Sequence, residues 1–334
     1  MLRGVQAFGK WSRSLAALTL LAACTTYRAL PAGQAATLTS RGSGETFAHS
    51  SDIYVSDNYP GQVDVYLRSD LAKGPIEKLT HHISYPNGIF INQADTLFVT
   101  SGGGNGHDKV LVIPKGARKA SLTYTGLSVA EDVTASSGGI VYVADCGNQR
   151  VVEFGARGRK PLRYIYPGGC PSALALSKSN VLYVGYTPPS SYWAQVKRYN
   201  AGSTRGIAML APKVVYLIGG IALDGSGSLL VANCGAGLID IFDGNARTPT
   251  RVMKTGQELP FRMAFNPRGS RLYVTSPFIG DLVERHRLRQ GVRASESPRK
   301  ANTIVELTYP SGKPVLTWRE PRWLPTGIAI APHR

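Results

Sequence analysis

The sequence predicts an all-β fold: a six-bladed β-propeller of four-stranded blades, its ring closed by the C-terminal strand. Three observations carry this expectation. First, a strand pattern with a central valine recurs as "IYVSD" (53–57), "LFVTS" (97–101), "VYVAD" (141–145), "LYVGY" (182–186), "LLVAN" (229–233) and "LYVTS" (272–276). Second, the valines Val55, Val99, Val143, Val184, Val231 and Val274 lie 44, 44, 41, 47 and 43 residues apart, the period of a propeller blade. Third, the first copy lacks the apolar strand that precedes the others, and a matching segment, "LPTGIAIA" (324–331), stands at the far end of the chain. Composition agrees. The 334 residues include 37 Gly and 16 Tyr, which favour tight turns and strands, and no long amphipathic helical pattern follows the N-terminal region.

Residues 1–23 read as a signal peptide. Arg3, Lys10 and Arg13 form a basic start, and "SLAALTLLAA" (14–23) is an apolar run too short to span a bilayer. The run ends in "LAAC", which resembles the lipobox of bacterial lipoproteins. That resemblance implies cleavage before Cys24 and acylation of its thiol and amino group. Several acyl chains, at ~0.8 kcal/mol per buried methylene, hold a protein to a membrane stably. Thr25 rather than Asp follows Cys24, which implies the outer membrane over the inner one, with the protein facing periplasm or exterior. Residues 24–45, rich in Thr, Ala, Gly and Ser, read as a lipidated flexible tether, and 46–334 as the propeller. The formal charge of +17 falls by three to +14 on cleavage, since residues 1–23 carry three bases and no acid. Such a chain is drawn to anionic surfaces. Export argues against a nucleic-acid partner, and the expected state is a monomer.

Each valine-centred strand is followed by a second one: "QVDVYL" (62–67), "KVLVIP" (109–114), "RVVEFG" (150–155), "QVKRYN" (195–200), "LIDIFD" (238–243) and "TIVELT" (303–308). Five copies are preceded by an apolar entry strand: "YPNGIFI" (85–91), "AEDVTA" (130–135), "CPSALAL" (170–176), "IGGIALD" (218–224) and "LPFRMAF" (259–265). A weaker fourth strand ends most units, as in "PLRYIY" (161–166) and "PVLTW" (314–318). Residues 324–332 therefore complete blade 1 as its innermost strand and leave no sheet edge open at the seam.

The turn "ADCGNQRVVEF" (144–154) resembles the NHL repeat through Asp145, Asn148 and Arg150. The "PNG" entry (86–88) also resembles the gluconolactonase and senescence-marker-protein family, another six-bladed group. In that family a divalent metal bound by channel Asn and acidic side chains polarises a lactone carbonyl or activates water. The resemblance implies Asn87 and Glu131 as ligands for calcium or another divalent cation. In a propeller, the entries to the inner strands and the exits of the valine-centred strands share the face around the channel mouth. The candidate ligand-binding residues there are Asn87, Glu131, Asp132, Ser172 and Arg262 at entries, and Asp145, Tyr186 and Asn233 at exits.

Other features read more plainly. "SGGGNGHDK" (101–109) lacks the Gly-Lys-Ser/Thr ending of a phosphate loop and leads into a strand, so it reads as a hairpin loop. Tyr186, Pro188, Pro189, Tyr192 and Trp193 form an aromatic exit loop, open either to ligand stacking or to packing on a neighbouring blade. A basic insertion spans 277–301. Cys146 and Cys234 occupy equivalent turns, and Cys170 opens the fourth inner strand on the same face as Cys146. In an oxidising compartment, Cys146–Cys170 is the expected disulfide and Cys234 stays free.

The expected function is binding of a small molecule, glycan or protein partner on the loop face at the cell envelope. A metal-dependent lactonase-like hydrolase using the central channel and a scaffold within an envelope complex are the alternatives. No catalytic residue is assigned.

Overall fold

The structure is a computed structural model that describes residues 52–104, 106–191, 193–277, 302–319 and 324–332. The proposed signal peptide and tether, Cys24, Tyr192 and positions 278–301 of the basic insertion lie outside the described residues. Within them, six antiparallel sheets form the ring.

Along the chain, β1 (Asp52–Asp57), β2 (Gln62–Leu67) and β3 (Glu77–Leu79) are the outer three strands of blade 1. Blade 2 comprises β4 (Ile89–Ile91), β5 (Leu97–Ser101), β6 (Asp108–Ile113) and β7 (Leu122–Leu127). Blade 3 comprises β8 (Ala130–Ala135), β9 (Val141–Asp145), β10 (Arg150–Phe154) and β11 (Pro161–Ile165). Blade 4 holds β12 (Cys170–Leu176), β13 (Leu182–Thr187), β14 (Trp193–Tyr199) and β15 (Ile207–Ala208), and gains an extra short strand, β16 (Val215–Tyr216), on β14. Blade 5 comprises β17 (Ile218–Leu223), β18 (Leu229–Asn233), β19 (Leu238–Phe242) and β20 (Arg251–Lys254). Blade 6 comprises β21 (Met263–Phe265), β22 (Arg271–Ser276), β23 (Thr303–Thr308) and β24 (Pro314–Arg319). The last strand, β25 (Pro325–Ile330), returns to blade 1 and pairs with β1, setting Val55 opposite Ile328 and Ile53 opposite Ile330.

The repeated valines sit where they do because a middle strand is covered on both sides. Val55, Val99, Val143, Val184, Val231 and Val274 are fully buried. Each blade packs one face on the blade before it and one on the blade after. A cluster of buried side chains accordingly fills each junction, including the seam, where Ile53, Val55 and Ile328 meet Tyr273, Ile304 and Trp318 of blade 6. The outermost strands face solvent, so β24 is mostly exposed and β11 largely so.

Two entry strands are shorter than their sequence suggests. β4 begins at Ile89 and β21 at Met263. Pro86 and Pro260 bring no N–H to the ladder, and the next residues are bound by side-chain hydroxyls instead. Thr100 Oγ1 accepts from the Gly88 amide (2.8 Å), and Thr275 Oγ1 accepts from that of Arg262 (3.0 Å). At the seam the Leu324 amide donates to Asp57 Oδ1 (2.8 Å) and Thr326 Oγ1 to Ser56 O (3.3 Å), while Thr326 Oγ1 also reaches Pro86 O (2.8 Å) on the blade 2 lead-in.

Blades 3 and 4 are also joined covalently. Cys146, in the short 3₁₀ turn Cys146–Asn148, forms a disulfide with Cys170 at the start of β12, their Cα atoms 4.4 Å apart. Cys234, in the equivalent turn of blade 5, is a buried thiol that donates to Pro260 O (3.0 Å), and burial pushes its pKa up to about 12. The thiol therefore packs rather than reacts.

Glycine at the inner-strand entries serves close approach. A Cβ on Gly327 would lie 2.3 Å from Asn87 O, and one on Gly88 would lie 2.4 Å from Asp132 Cα. Gly327→Ala is expected to lower the unfolding free energy by about 1–3 kcal/mol, read from the urea midpoint, because both obstacles are packed groups that must shift. Gly225→Ala, where a Cβ meets nothing within 4 Å, is the matched control and should leave the midpoint nearly unchanged.

Candidate functional site

The strand ends set the face. β1, β8, β12 and β17 place Asp57 opposite Pro325, Ala130 opposite Asp145, Cys170 opposite Thr187 and Ile218 opposite Asn233. Inner-strand entries and valine-strand exits thus lie together at one mouth.

At the centre of that mouth stands Arg262, on the lead-in to β21. Its Nη1 donates to Ser172 O (2.7 Å) of blade 4 and to Gly219 O (2.8 Å) of blade 5. Its Nη2 donates to Glu131 O (2.8 Å) of blade 3. Asp132 Oδ2 lies 3.5 Å from Nη1 and also accepts the Leu174 amide (2.8 Å) of blade 4. Oδ1 of Asp132 takes the Val133 amide (3.0 Å). The sequence reading placed Arg262 and Asp132 among ligand-binding side chains; the structure shows both engaged in joining blades 3 to 6. Burial raises the Asp132 pKa, although Arg262 and the two amide bonds pull the other way. Ser172 offers its carbonyl to Arg262, while its buried hydroxyl oxygen has no hydrogen-bond partner among the described residues. Below Arg262 a cavity of about 220 Å³ runs along the axis, its walls mainly apolar side chains such as Ile89, Val133, Ile221 and Ile328.

The exit residues are likewise occupied. Asp145 is fully buried; it accepts from the Ser128 amide (2.7 Å), Asn148 Nδ2 (2.9 Å) and Arg150 Nε (2.7 Å). The Asp, Asn and Arg that carry the NHL resemblance therefore build the turn itself. Asn233 does the same in blade 5, its Nδ2 donating to Asp240 (2.8 Å) and its Oδ1 accepting the Tyr216 amide (3.3 Å). Tyr186 is buried with the Lys197 ammonium 5.1 Å from its ring centre, and Trp193 packs edge-on to Tyr216. Asp145, Asn233 and Tyr186, read from the sequence as ligand-binding, are thus committed to internal contacts.

Asn87 and Glu131 differ from these. They line a second cavity, about 190 Å³, off-centre in the mouth. Asn58, Tyr85, Asp108 and the glycines at 102–104 complete much of its wall. Asn87 Nδ2 donates to Glu131 Oε2 (3.0 Å), and Asn87 Oδ1 is buried with no partner among the described residues. Asp108 is engaged by the Gly104 amide (3.0 Å) and the Ala130 amide (2.8 Å). Tyr85 is 56% exposed and its backbone φ is 45°, a left-handed conformation costly for a bulky residue. Glu131 has its pKa pushed up to about 7 by burial, with Asp132 and Asp108 adding to the shift and Arg262 opposing it. The sequence reading missed Tyr85 and Asn58; the only signal was their position beside the "PNG" and "SDNYPG" turns.

The donor set does not fit a resident divalent cation. Calcium takes about six to eight oxygens and magnesium near-octahedral oxygens. Here Asp132 is already paired with a guanidinium, and Glu131 accepts from the Asn87 amide. Among the described residues no group of three or more His, Cys, Asp or Glu side chains is placed to hold a metal.

A family model for the NHL repeat matches residues 127–154, the span from the end of β7 to the end of β10. No curated protein matches the chain. Among solved structures, a chain of a nidogen/laminin complex is similar at TM-score 0.64 and 14% identity, covering 84% of this chain and 98% of that one. A protein of unknown function from Bacteroides caccae is similar at TM-score 0.60 and 14% identity, covering 85% and 99%. The class shown is a six-bladed β-propeller, one span of which, 127–154, matches the NHL repeat.

Two outcomes follow from the site's chemistry. Arg262→Leu removes the bonds to three blades and strands the Asp132 carboxylate, so it should cost about 3–5 kcal/mol of stability in chemical denaturation. Glu131 binds its proton more tightly folded than unfolded, so its contribution to stability is full below the ordinary value of 4.5 and declines as pH rises towards 7. Glu131→Gln should flatten that part of the stability–pH curve relative to wild type.

Proposed function

We propose that this chain is a lipid-anchored envelope protein whose propeller binds a small polar ligand in the off-centre mouth cavity. One observation carries the binding half of this reading: a carbonyl oxygen, Asn87 Oδ1, buried without a partner at the wall of a cavity that also presents Glu131 and the exposed ring of Tyr85. An unsatisfied buried acceptor costs roughly 1–3 kcal/mol, a cost that a donor from a ligand would remove. Asp132, Arg262, Asp145, Asn233 and Tyr186 are engaged in internal contacts, which favours this cavity as the place for recognition. The lipobox-like "LAAC" ending at Cys24 and the charge of +14 left after cleavage (+17 minus 3) support attachment at an anionic membrane surface.

A soak of crystals with a mixture of hydrophilic fragments is the direct test. Fragments should seat beside Tyr85 and Asn87, and should be lost in Tyr85→Asn, a substitution that keeps the left-handed backbone comfortable. Fragments found solely in the axial cavity under Arg262 would overturn the site assignment. Labelling of the expressed chain with a radioactive fatty acid, abolished by Cys24→Ser, tests the anchor separately.

A further inference from the structure

Resting on that site assignment, we propose that the mouth cavity selects a primary ammonium group on a small molecule. The side chains that have capacity left there are acceptors. Asn87 has its nitrogen on Glu131 Oε2, which leaves Oδ1 to be satisfied by an incoming donor. With Glu131 ionised that orientation of the amide is required, since reversing it would set oxygen against the carboxylate oxygen. Asn58 has its nitrogen on Pro86 O (3.2 Å), so its oxygen is what it has to offer. Glu131 uses Oε2 for Asn87, and its other oxygen can accept.

Charge and shape point the same way. Glu131 and Asp108 line the cavity, with Asp132 beside them. Arg262, the cation that acts on Glu131, turns both Nη atoms to backbone carbonyls and Asp132, away from a ligand role. The cavity is therefore an electronegative spot in a strongly basic chain. An ammonium brings three N–H donors and no acceptor, matching what the wall lacks. The Tyr85 ring, 56% exposed, adds a π face, worth ~0.5–1 kcal/mol to a cation at an exposed site. A volume of about 190 Å³ admits one such headgroup with a short body. A ligand whose polar groups are mainly acceptors would leave Asn87 Oδ1 unpaired and face Glu131 with like polarity.

The test is calorimetric titration of the detergent-solubilised full-length protein at neutral pH. Glucosamine and putrescine are the probes, with glucose and 1,4-butanediol as their neutral counterparts. At least one amine should bind about tenfold or more tightly than its counterpart, and Glu131→Gln should erase that preference. Glucosamine alone would mark an amino sugar as the source, putrescine alone an aliphatic amine, and both together recognition of the ammonium itself. If Glu131→Gln does not fold, Asn87→Leu and Tyr85→Asn take its place, each expected to weaken the amine. Neutral and charged probes binding alike, with both weakened in Tyr85→Asn, would overturn the ammonium assignment while leaving the cavity a ligand site. No amine bound up to ~10 mM, the weak end of measurable binding, would overturn it as well.

Discussion

A ring of wedge-shaped sheets crowds its innermost backbone at the axis, and there the carbonyls of the entry turns must find donors without water. Arg262 meets that demand. Its guanidinium bonds to carbonyls on blades 3, 4 and 5 from a lead-in on blade 6. Asp132 answers the charge and takes an amide of blade 4 in return. Planar, always ionised and rich in fixed donors, arginine suits this place as lysine would not. With Arg262 holding the centre, one cavity lies along the axis beneath it and a second sits to the side, between blades 2 and 3.

The seam is handled by different chemistry. β25 and β1 pair across almost the full length of the chain, and the bonds of Thr326 Oγ1 to Ser56 O and of the Leu324 amide to Asp57 fix their register. Glycine lets the entry segments touch, since side chains at Gly88 and Gly327 would collide with the next blade. Hydrophobic burial between blades supplies the bulk of the attraction; the polar hub and the glycines set which arrangement that attraction produces.

The architecture was legible in the sequence because every blade buries the same two faces, so the same valine must recur at each middle strand. The displaced copy at 324–331 made the closure legible too. The site was legible only in part. Sequence spacing brought Asn87 and Glu131 to one mouth, and the structure joins them by a hydrogen bond. It could not tell that Arg262 reaches Glu131 O, 131 positions away, or that Asp145 and Asn233 are taken up by the Ser128 amide, by Asp240 and by the Tyr216 amide. Such pairings depend on blade-to-blade geometry and leave no periodic mark. Tyr85 escaped for another reason: its left-handed backbone is imposed by the turn and not suggested by a tyrosine.

The start of β1 has a geometric consequence for the whole molecule. Asp52 lies beside Ala331, to which it offers its carbonyl, at the opposite end of the blade from Asp57 and the mouth. A chain arriving at Asp52 thus joins the ring from behind. Entry to the ring and the cavity beside Tyr85 therefore stand at opposite ends of the blades.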